Sequence, residues 1–341
     1  MKNLKDFWYV VAESRQLKNN SVLARKVMGE WLAVFRDDNG RPVVMQDRCK
    51  HRAAQLSRGK VCNGRLQCPY HGWVYGKDGQ VLAVPSEGDA FKQTPSRKGK
   101  VYHACEKDGF VYVCLSDGET VEARPFNMRH YGDRGWRTVR VINRFHNNFT
   151  NCVENFIDIP HTVYVHPGIF RTQRRQRIDV EVERKNGSVK ATYHNETNNL
   201  GWFARFLNPG GHSIIHTDEF FMPNVSCVEY IVGPKRHFII TSQSVPVEDD
   251  ETLVYTDLTF NYGIWNRVAA PVVRWQGQKI IDQDIETLGN QMQVIKKYGA
   301  HFCNTPADLI HVWVESIRNE LDAGRDPRLL PDRKNRISML V

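Results

Sequence analysis

The sequence predicts an α+β chain, with an all-β domain over residues 1–118 followed over 119–341 by helices flanking a curved antiparallel sheet. Three observations lead there. Residues 7–116 break into short apolar runs separated by Asn-Gly and Asp-Gly turns, the punctuation of antiparallel hairpins. Six segments of alternating hydrophobicity lie between 178 and 262, with an Asn-Gly turn at 186–187. Two stretches of helical spacing, 152–168 and 279–291, bracket that second sheet.

Composition sets the outer bounds. A chain of 341 residues that is 41% hydrophobic can build two cores. No apolar run approaches the roughly 20 residues of a membrane span, and the start, Met-Lys-Asn-Leu-Lys-Asp-Phe-Trp, lacks the apolar segment of a signal peptide. A soluble, cytoplasmic protein is therefore expected, with no membrane partner. The eight cysteines are too scattered for a disulfide framework. The net charge of +9 favours acidic partners, but 47 basic residues are interleaved with 38 acidic ones and no recognition motif accompanies them. Nucleic acid is not an expected partner.

In the first domain, strands are expected at 31–35, 42–45, 81–82 and 109–114, with turns at 38–40 and 76–79. Between them stand Cys49-x-His51 and Cys68-x-x-His71, separated by 16 residues. Two cysteines and two histidines suit either tetrahedral zinc or a [2Fe-2S] cluster with both histidines on one iron. Zinc fingers usually place the cysteines together and the histidines together, whereas each loop here holds one of each. That order lets the cysteines take one iron and the histidines the other. At this point the sequence resembles the Rieske ferredoxin domain, whose loops match Cys49, His51, Cys68 and His71, with Gly72-Trp73 following. Cys62, Cys105, Cys114 and His103 have no partner at ligand spacing and read as ordinary packing residues. Lys50, Arg52, Arg58, Lys60 and Arg65 surround the loops, a face that an acidic ferredoxin or reductase would be steered to.

The composition turns polar over 116–124, and the second domain is expected beyond it. Asp158 and His161 are three apart, one helical turn, but His166 is five further on, a rotation of about 140° on a regular helix. Both histidines reach one metal only if the helix breaks between them, and Pro160 and Pro167-Gly168 supply breakers. Two imidazoles and a carboxylate form the facial triad of Fe(II) sites that handle dioxygen. A lone histidine pair would carry little weight; the upstream loops give it meaning.

The stretch resembles the catalytic motif of Rieske non-heme iron oxygenases, in which an Asp stands three before the first iron histidine and the second follows five later. The resemblance implies that His161 and His166 bind a mononuclear Fe(II), and that Asp158 bridges His161 to a Rieske histidine of the adjacent subunit. Asn155 matches an Asn near the iron in the monooxygenase and demethylase branch. Glu154, adjacent to it, points about 100° away and is set aside. The family takes its iron carboxylate from a late helix, and Asp284 is the choice in 279–291, seven before Gln291, with Asp282 and Glu286 as alternatives.

The same resemblance implies a helix-grip catalytic domain and a homotrimer that pairs each cluster with the next subunit's iron. Electrons would come from a separate NAD(P)H-dependent reductase or ferredoxin, to act with dioxygen on a small-molecule substrate. Large-subunit-only relatives such as the vanillate, dicamba and sulfonate demethylases and monooxygenases are of this length. Ring dihydroxylation is the alternative within the class, and a Rieske electron carrier without its own catalysis is the alternative outside it. Phe156, Tyr164, Trp202, Phe203, Phe206 and Trp265 are candidate walls of the substrate cavity. The basic tail over 322–341 carries no readable role.

Overall fold

A computed structural model describes residues 3–169, 176–194, 208, 212, 214–233 and 236–341. The chain divides into two units, Lys5–Asn127 and Met128–Val341. The expected wall residues Trp202, Phe203 and Phe206 lie outside the described residues.

The first unit is built from ten short strands: β1 (Trp8–Glu13), β2 (Val22–Val27), β3 (Glu30–Arg36), β4 (Pro42–Gln46), β5 (Lys60–Cys62), β6 (Arg65–Gln67), β7 (Val74–Tyr75), β8 (Val81–Ala83), β9 (Val101–Lys107) and β10 (Phe110–Cys114). They form a six-stranded sheet ordered β1-β10-β9-β4-β3-β2 and a four-stranded sheet ordered β5-β6-β7-β8. β10 is flanked on both sides, and all five of its residues are buried, which is why it reads as a continuous apolar run. A core of Phe35, Met45, Leu56, Leu66 and Tyr75 packs the two sheets together and includes Cys49 and Cys68. Each such side chain contributes roughly 1.5–3 kcal/mol by leaving water.

The second unit is an eight-stranded antiparallel sheet with, among the described residues, four α-helices. Its strands are β11 (Arg137–Phe145), β12 (Arg177–Lys185), β13 (Ser188–His194), β14 (Ile214–Phe221), β15 (Val225–Val232), β16 (Arg236–Glu248), β17 (Glu251–Asn261) and β18 (Arg333–Leu340), in the order β11-β17-β16-β15-β14-β13-β12-β18. β12 alternates without a break between buried positions and positions that are half-buried or, at its ends, exposed. It turns into β13 through Asn186 and Gly187, both at positive φ as a two-residue hairpin requires. The tail acquires a place here, because β18 pairs along the length of β12 in its own sheet.

The helices are α1 (Phe149–Phe156), α2 (His161–Tyr164), α3 (Asn266–Tyr298) and α4 (Leu309–Asp322). α4 lays Ile310, Trp313, Val314 and Ile317 on the β12–β13 side of the sheet. α3 lies against β11 and β17 and buries Ala269, Val273, Gln276, Ile281, Asp284, Leu288 and Met292, one face at helical spacing. One member of that buried face is a carboxylate. Such a group is kept in an apolar stripe only when something pairs with it.

Candidate metal centres

The β4–β5 loop carries Cys49 and His51, and the β6–β7 loop carries Cys68 and His71. The two loops share one backbone pattern. Each cysteine carbonyl accepts from the N–H four residues on, Ala53 at 3.0 Å and Gly72 at 3.2 Å. Each cysteine N–H donates to the carbonyl five residues on, Ala54 at 2.9 Å and Trp73 at 2.8 Å. In both loops the fourth residue takes positive φ, +55° at Ala53 and +73° at Gly72. Gly72 is also tight, since a Cβ there would meet Pro85 at 3.0 Å. The sequence thus builds the same turn twice, and each turn brings its cysteine inward.

Both cysteines are buried, whereas His51 is half-buried and His71 is exposed. The imidazoles face each other with centroids 4.5 Å apart, and His51 lies flat on the indole of Trp73 at 4.9 Å. Burial, with help from neighbouring His71 and Arg52, shifts His51 downward and so favours the neutral, ligand-ready ring. Its Nδ1 is buried with no hydrogen-bond partner. Beneath them the Tyr75 hydroxyl accepts from the Lys50 N–H at 2.9 Å, which turns its own proton toward Cys49 Sγ, 3.2 Å away. Burial and the nearby thiols hold Tyr75 protonated. The sequence offered no sign of Tyr75, because its position depends on how β7 pairs with β6.

In the second unit, Asn148 caps α1 by accepting the Asn151 N–H at 2.9 Å. The helix ends at Phe156, and the chain re-enters helix for one turn at His161 after Pro160. This turn ends at Tyr164, between the two histidines, and both imidazoles reach α3. His166 Nε2 lies 3.0 Å and His161 Nε2 3.5 Å from Asp284 Oδ1, and the rings stand 5.3 Å apart at 77°. Among the described residues this is the one set of three that could close on a single ion, with all ligand atoms within 4.8 Å.

The outer nitrogens explain the aim of the rings. His161 Nδ1 is 3.2 Å from Asp158 Oδ2, and His166 Nδ1 is 2.8 Å from Gln283 Oε1. An Nδ1–H anchored on an acceptor leaves Nε2 as a lone pair pointing inward. Asp284 is 3% exposed, and its Oδ1 is buried without a hydrogen bond of good geometry although both histidines face it. Ligand nitrogens 3.0 and 3.5 Å from Asp284 Oδ1, with all three atoms within 4.8 Å of one another, are close enough to share one ion with bonds of about 2.1 Å. The residues present therefore fit a mononuclear metal. Burial works against charge on His161, but the carboxylates of Asp158 and Asp284 outweigh it and lift the ring to about 9. An incoming cation takes the place of that proton.

Asp282 and Glu286, the other carboxylates of the late segment, are exposed on the opposite side of α3. Gln291 accepts from Asn147 Nδ2 at 2.9 Å and belongs to a buried amide network with Asn151. Gln283 was missed because its neighbour in sequence faces the site, and adjacent helical positions diverge by about 100°; the length of its side chain bridges the difference.

The three residues open onto a cavity of about 90 Å³. Its floor is two cross-strand rows of the sheet, His216, Tyr230 and Phe238 in one and Asp218, Val228, Ile240 and Leu258 in the other. Its roof includes Asn155, Phe156 and Val273, with Gly277 of α3 packed so closely that a Cβ there would meet Leu258 at 2.5 Å. Asn155 Nδ2 is buried without a partner. Of the other expected wall residues, Tyr164 is 77% and Trp265 62% exposed.

Glu154 faces away from the metal set. Burial, sharpened by Glu315 and Asp158 and only partly relieved by Arg318, pushes its carboxyl up to about 8. The folded chain therefore holds this proton more tightly than the unfolded chain, whose carboxyl titrates near 4.5. Stability falls as pH rises from about 4.5 to about 8. Glu154→Gln is expected to flatten that fall and to stabilise by at most about 5 kcal/mol above pH 8. Chemical denaturation at pH 5 and pH 9 checks it, and an equal effect at both values would contradict the assignment.

Comparisons with known proteins agree with this architecture. Residues 7–96 match the Rieske [2Fe-2S] domain. Residues 145–322, more than half of the chain, match the vanillate O-demethylase oxygenase C-terminal domain. The chain is 26% identical to the dicamba O-demethylase oxygenase component of Stenotrophomonas maltophilia over 83% of its own length and 86% of that protein's. It is 32% identical to chlorophyllide a oxygenase of Chlamydomonas reinhardtii, over 50% of its own length but only 25% of that longer protein. It also spans 54% of a putative toluene-4-sulfonate monooxygenase iron-sulfur subunit of Comamonas testosteroni, at 28% identity over 55% of itself. In fold it is similar to a dicamba monooxygenase crystal structure, with a TM-score of 0.81 over 95% of this chain and 99% of that one, at 23% identity. With a Rieske domain ahead of that catalytic domain, the chain belongs to the Rieske non-heme iron oxygenases, in the branch defined by the vanillate O-demethylase oxygenase C-terminal domain.

Proposed function

We propose that the chain is the terminal oxygenase of a cytoplasmic multicomponent system, which hydroxylates or oxidatively demethylates a small, largely apolar substrate. The observation that carries this reading is the convergence of His161, His166 and Asp284 at one wall of an apolar cavity, in a chain that also has two matched Cys/His loops. Cys49, Cys68, His51 and His71 hold the cluster in the first domain (1–118), and His161, His166 and Asp284 hold Fe(II) in the second (119–341). The iron supplies a binding and activating position for dioxygen when it is present. The overall reaction is RH + O₂ + 2e⁻ + 2H⁺ → ROH + H₂O, with both electrons arriving from a separate NAD(P)H-dependent reductase or ferredoxin. If the hydroxylated carbon is a methyl on oxygen, the product sheds formaldehyde, and the outcome is demethylation.

The chain's own residues bind, orient and relay. Asp158 and Gln283 fix the two imidazoles through Nδ1, so that both Nε2 atoms are presented without rearrangement. The apolar floor excludes water from the reacting carbon. Asn155 offers an unpaired amide to the cavity and positions a polar atom of substrate or bound water. Asp158 keeps one carboxylate oxygen beyond the one facing His161, and in a homotrimer that oxygen meets His71 of the partner subunit, joining cluster to iron. The exposed bases Lys50, Arg52, Arg58, Lys60 and Arg65 steer the acidic electron donor.

Product analysis with labelled dioxygen tests this reading, using the purified protein, a surrogate reductase and a panel of small aromatic and methylated substrates. From protein with three irons per chain, one labelled oxygen is expected in a hydroxylated product, or in the formaldehyde released by a demethylation. Two labelled oxygens would make it a dihydroxylating enzyme, and two irons with no product would make it a carrier. In the same assay the double variant Arg52→Glu, Lys60→Glu is expected to slow cluster reduction at low salt, and an unchanged rate would remove the docking role.

A further inference from the structure

The N-terminal part of α3 has two apolar sides. One faces inward, where Ala269, Val273 and Ile281 are buried. The other faces water. Trp265, Val268, Val272 and Trp275 recur at intervals of three and four, one stripe of a helix, and are 62%, 66%, 38% and 58% exposed. Ile264, in the turn before the helix, is 91% exposed. Single exposed apolar side chains are ordinary, whereas a contiguous set with two tryptophans marks a surface that something covers. The stripe is held in place from behind. Asn266 Nδ2 donates to the Gly135 carbonyl at 2.8 Å, its Oδ1 accepts from the Tyr262 N–H at 2.7 Å, and the inner face packs with Leu258 and Phe260. Covering it therefore orders little that is not ordered already.

Charge selects the partner. Residues 263–281 contain Arg267, Arg274 and Lys279 and no acidic residue. All three bases are exposed. Arg267 and Arg274, seven apart, flank one edge of the stripe, and Lys279 Nζ lies 5.7 Å from the centre of the Trp275 ring at its end. Beyond Lys279 the same side turns acidic with exposed Asp282 and Glu286, which limits the apolar, basic surface to roughly the first three turns. Tryptophan and aliphatic side chains interleaved with bases make up a helix that lies in the headgroup region of a bilayer, its rings at the interface and its cations on the phosphates. A second copy fits worse. Face to face it would bring the same bases together, and so few side chains fall short of the roughly 20–30 residues a side of a stable protein interface.

We infer that the N-terminal part of α3, with the turn before it, is a peripheral docking surface for an anionic lipid bilayer. The expectation of no membrane partner rested on the length of apolar runs, which bears on crossing a bilayer and not on lying against one. Among the described residues no helix is long and apolar enough to cross. The docked segment is also a wall of the cavity, since Val273, Gly277 and Ile280 line it from the inner side. An apolar compound dissolved in the bilayer is then one helix away from that cavity. Only this last consequence rests on the oxygenase reading; the docking surface does not.

Co-sedimentation of the iron-loaded full chain with vesicles tests this. At physiological ionic strength, vesicles of equal parts phosphatidylglycerol and phosphatidylcholine are expected to bind it at least about 10-fold more tightly than pure phosphatidylcholine, each base near an anionic surface being worth roughly fivefold. Arg267→Gln with Arg274→Gln should remove most of that margin. Val268→Glu with Val272→Glu should weaken binding to the anionic vesicles by at least about 10-fold, through lost apolar contact and added repulsion. If the valine variant does not fold, the arginine variant and the pair of vesicle compositions still decide. No binding to the anionic vesicles overturns the inference, as does wild-type affinity in either double variant. A larger sedimentation coefficient for the wild type than for the valine variant, with no vesicles present, would assign the stripe to a second copy and overturn it too. Because the readout is binding, labelled product without vesicle binding would sink only this inference, and vesicle binding without labelled product only the reading of activity.

Discussion

Asp284→Ala is expected to purify with two irons per chain instead of three and to form product at least about 100-fold more slowly. The ground is that loss of a partner one shell further out already costs a metal site 10–100-fold. Among the described residues Asp284 is the one carboxylate that both His161 and His166 face, at 3.5 Å and 3.0 Å, and it is buried. Iron and sulfide analysis reads the stoichiometry, and the electron paramagnetic signal of the reduced cluster serves as the internal control, since Cys49, His51, Cys68 and His71 are untouched. Asp284→Asn, which preserves volume, guards against a folding artefact. Three irons in both variants would remove Asp284 from the ligand set.

The second large effect separates metal binding from electron delivery. Asp158→Asn is expected to retain all three irons and yet to lose about 100-fold in product formed per electron supplied. Asp158 is not aimed at the metal: its Oδ2 faces His161 Nδ1 at 3.2 Å, and its Oδ1 lies 4.0 Å from His311 Nε2 on α4. An amide can still accept from His161 but lacks the charge that strengthens a hydrogen bond from a second, metal-bound imidazole, so the ligand geometry survives and the proposed link between subunits weakens. Rapid-mixing reduction of the cluster followed by product quantification checks it. Normal product yield would refute the relay and return Asp158 to the role of ring anchor alone.

The strongest parts of both sites were legible because their spacing is local. Cys49-x-His51 and Cys68-x-x-His71 announce themselves within a few residues, and the chain needed only a helix end between His161 and His166 to bring the two together, a break that the five-residue interval demanded and that falls after Tyr164. Asp284 was chosen by the resemblance and by Gln291 seven residues on, and in the structure it shares a buried face with Ile281 and Leu288, while Asp282 and Glu286 do not. What stayed hidden depends on register between distant strands. His216 and Asp218 become a pocket wall only because β14 pairs with β15 so that His216 meets Tyr230 and Asp218 meets Val228. In the sequence they were two polar residues at inward positions of a strand, the one local signal available. Tyr75 and Gln283 gave no signal, since each works through an atom at the end of a long side chain. The pairing of β18 with β12 was hidden too, because polar residues along an edge strand look like a tail.

The twin turns around Cys49 and Cys68 have a consequence for rate rather than for affinity. Each is closed by two backbone hydrogen bonds and a residue at positive φ, and their cysteines are set in a core of close-packed aliphatic and aromatic side chains. Such a cage has little freedom to relax when the charge inside it changes by one unit. A cluster held by these loops would meet a low reorganisation energy, because the residues around its cysteines have little room to shift when an electron enters or leaves.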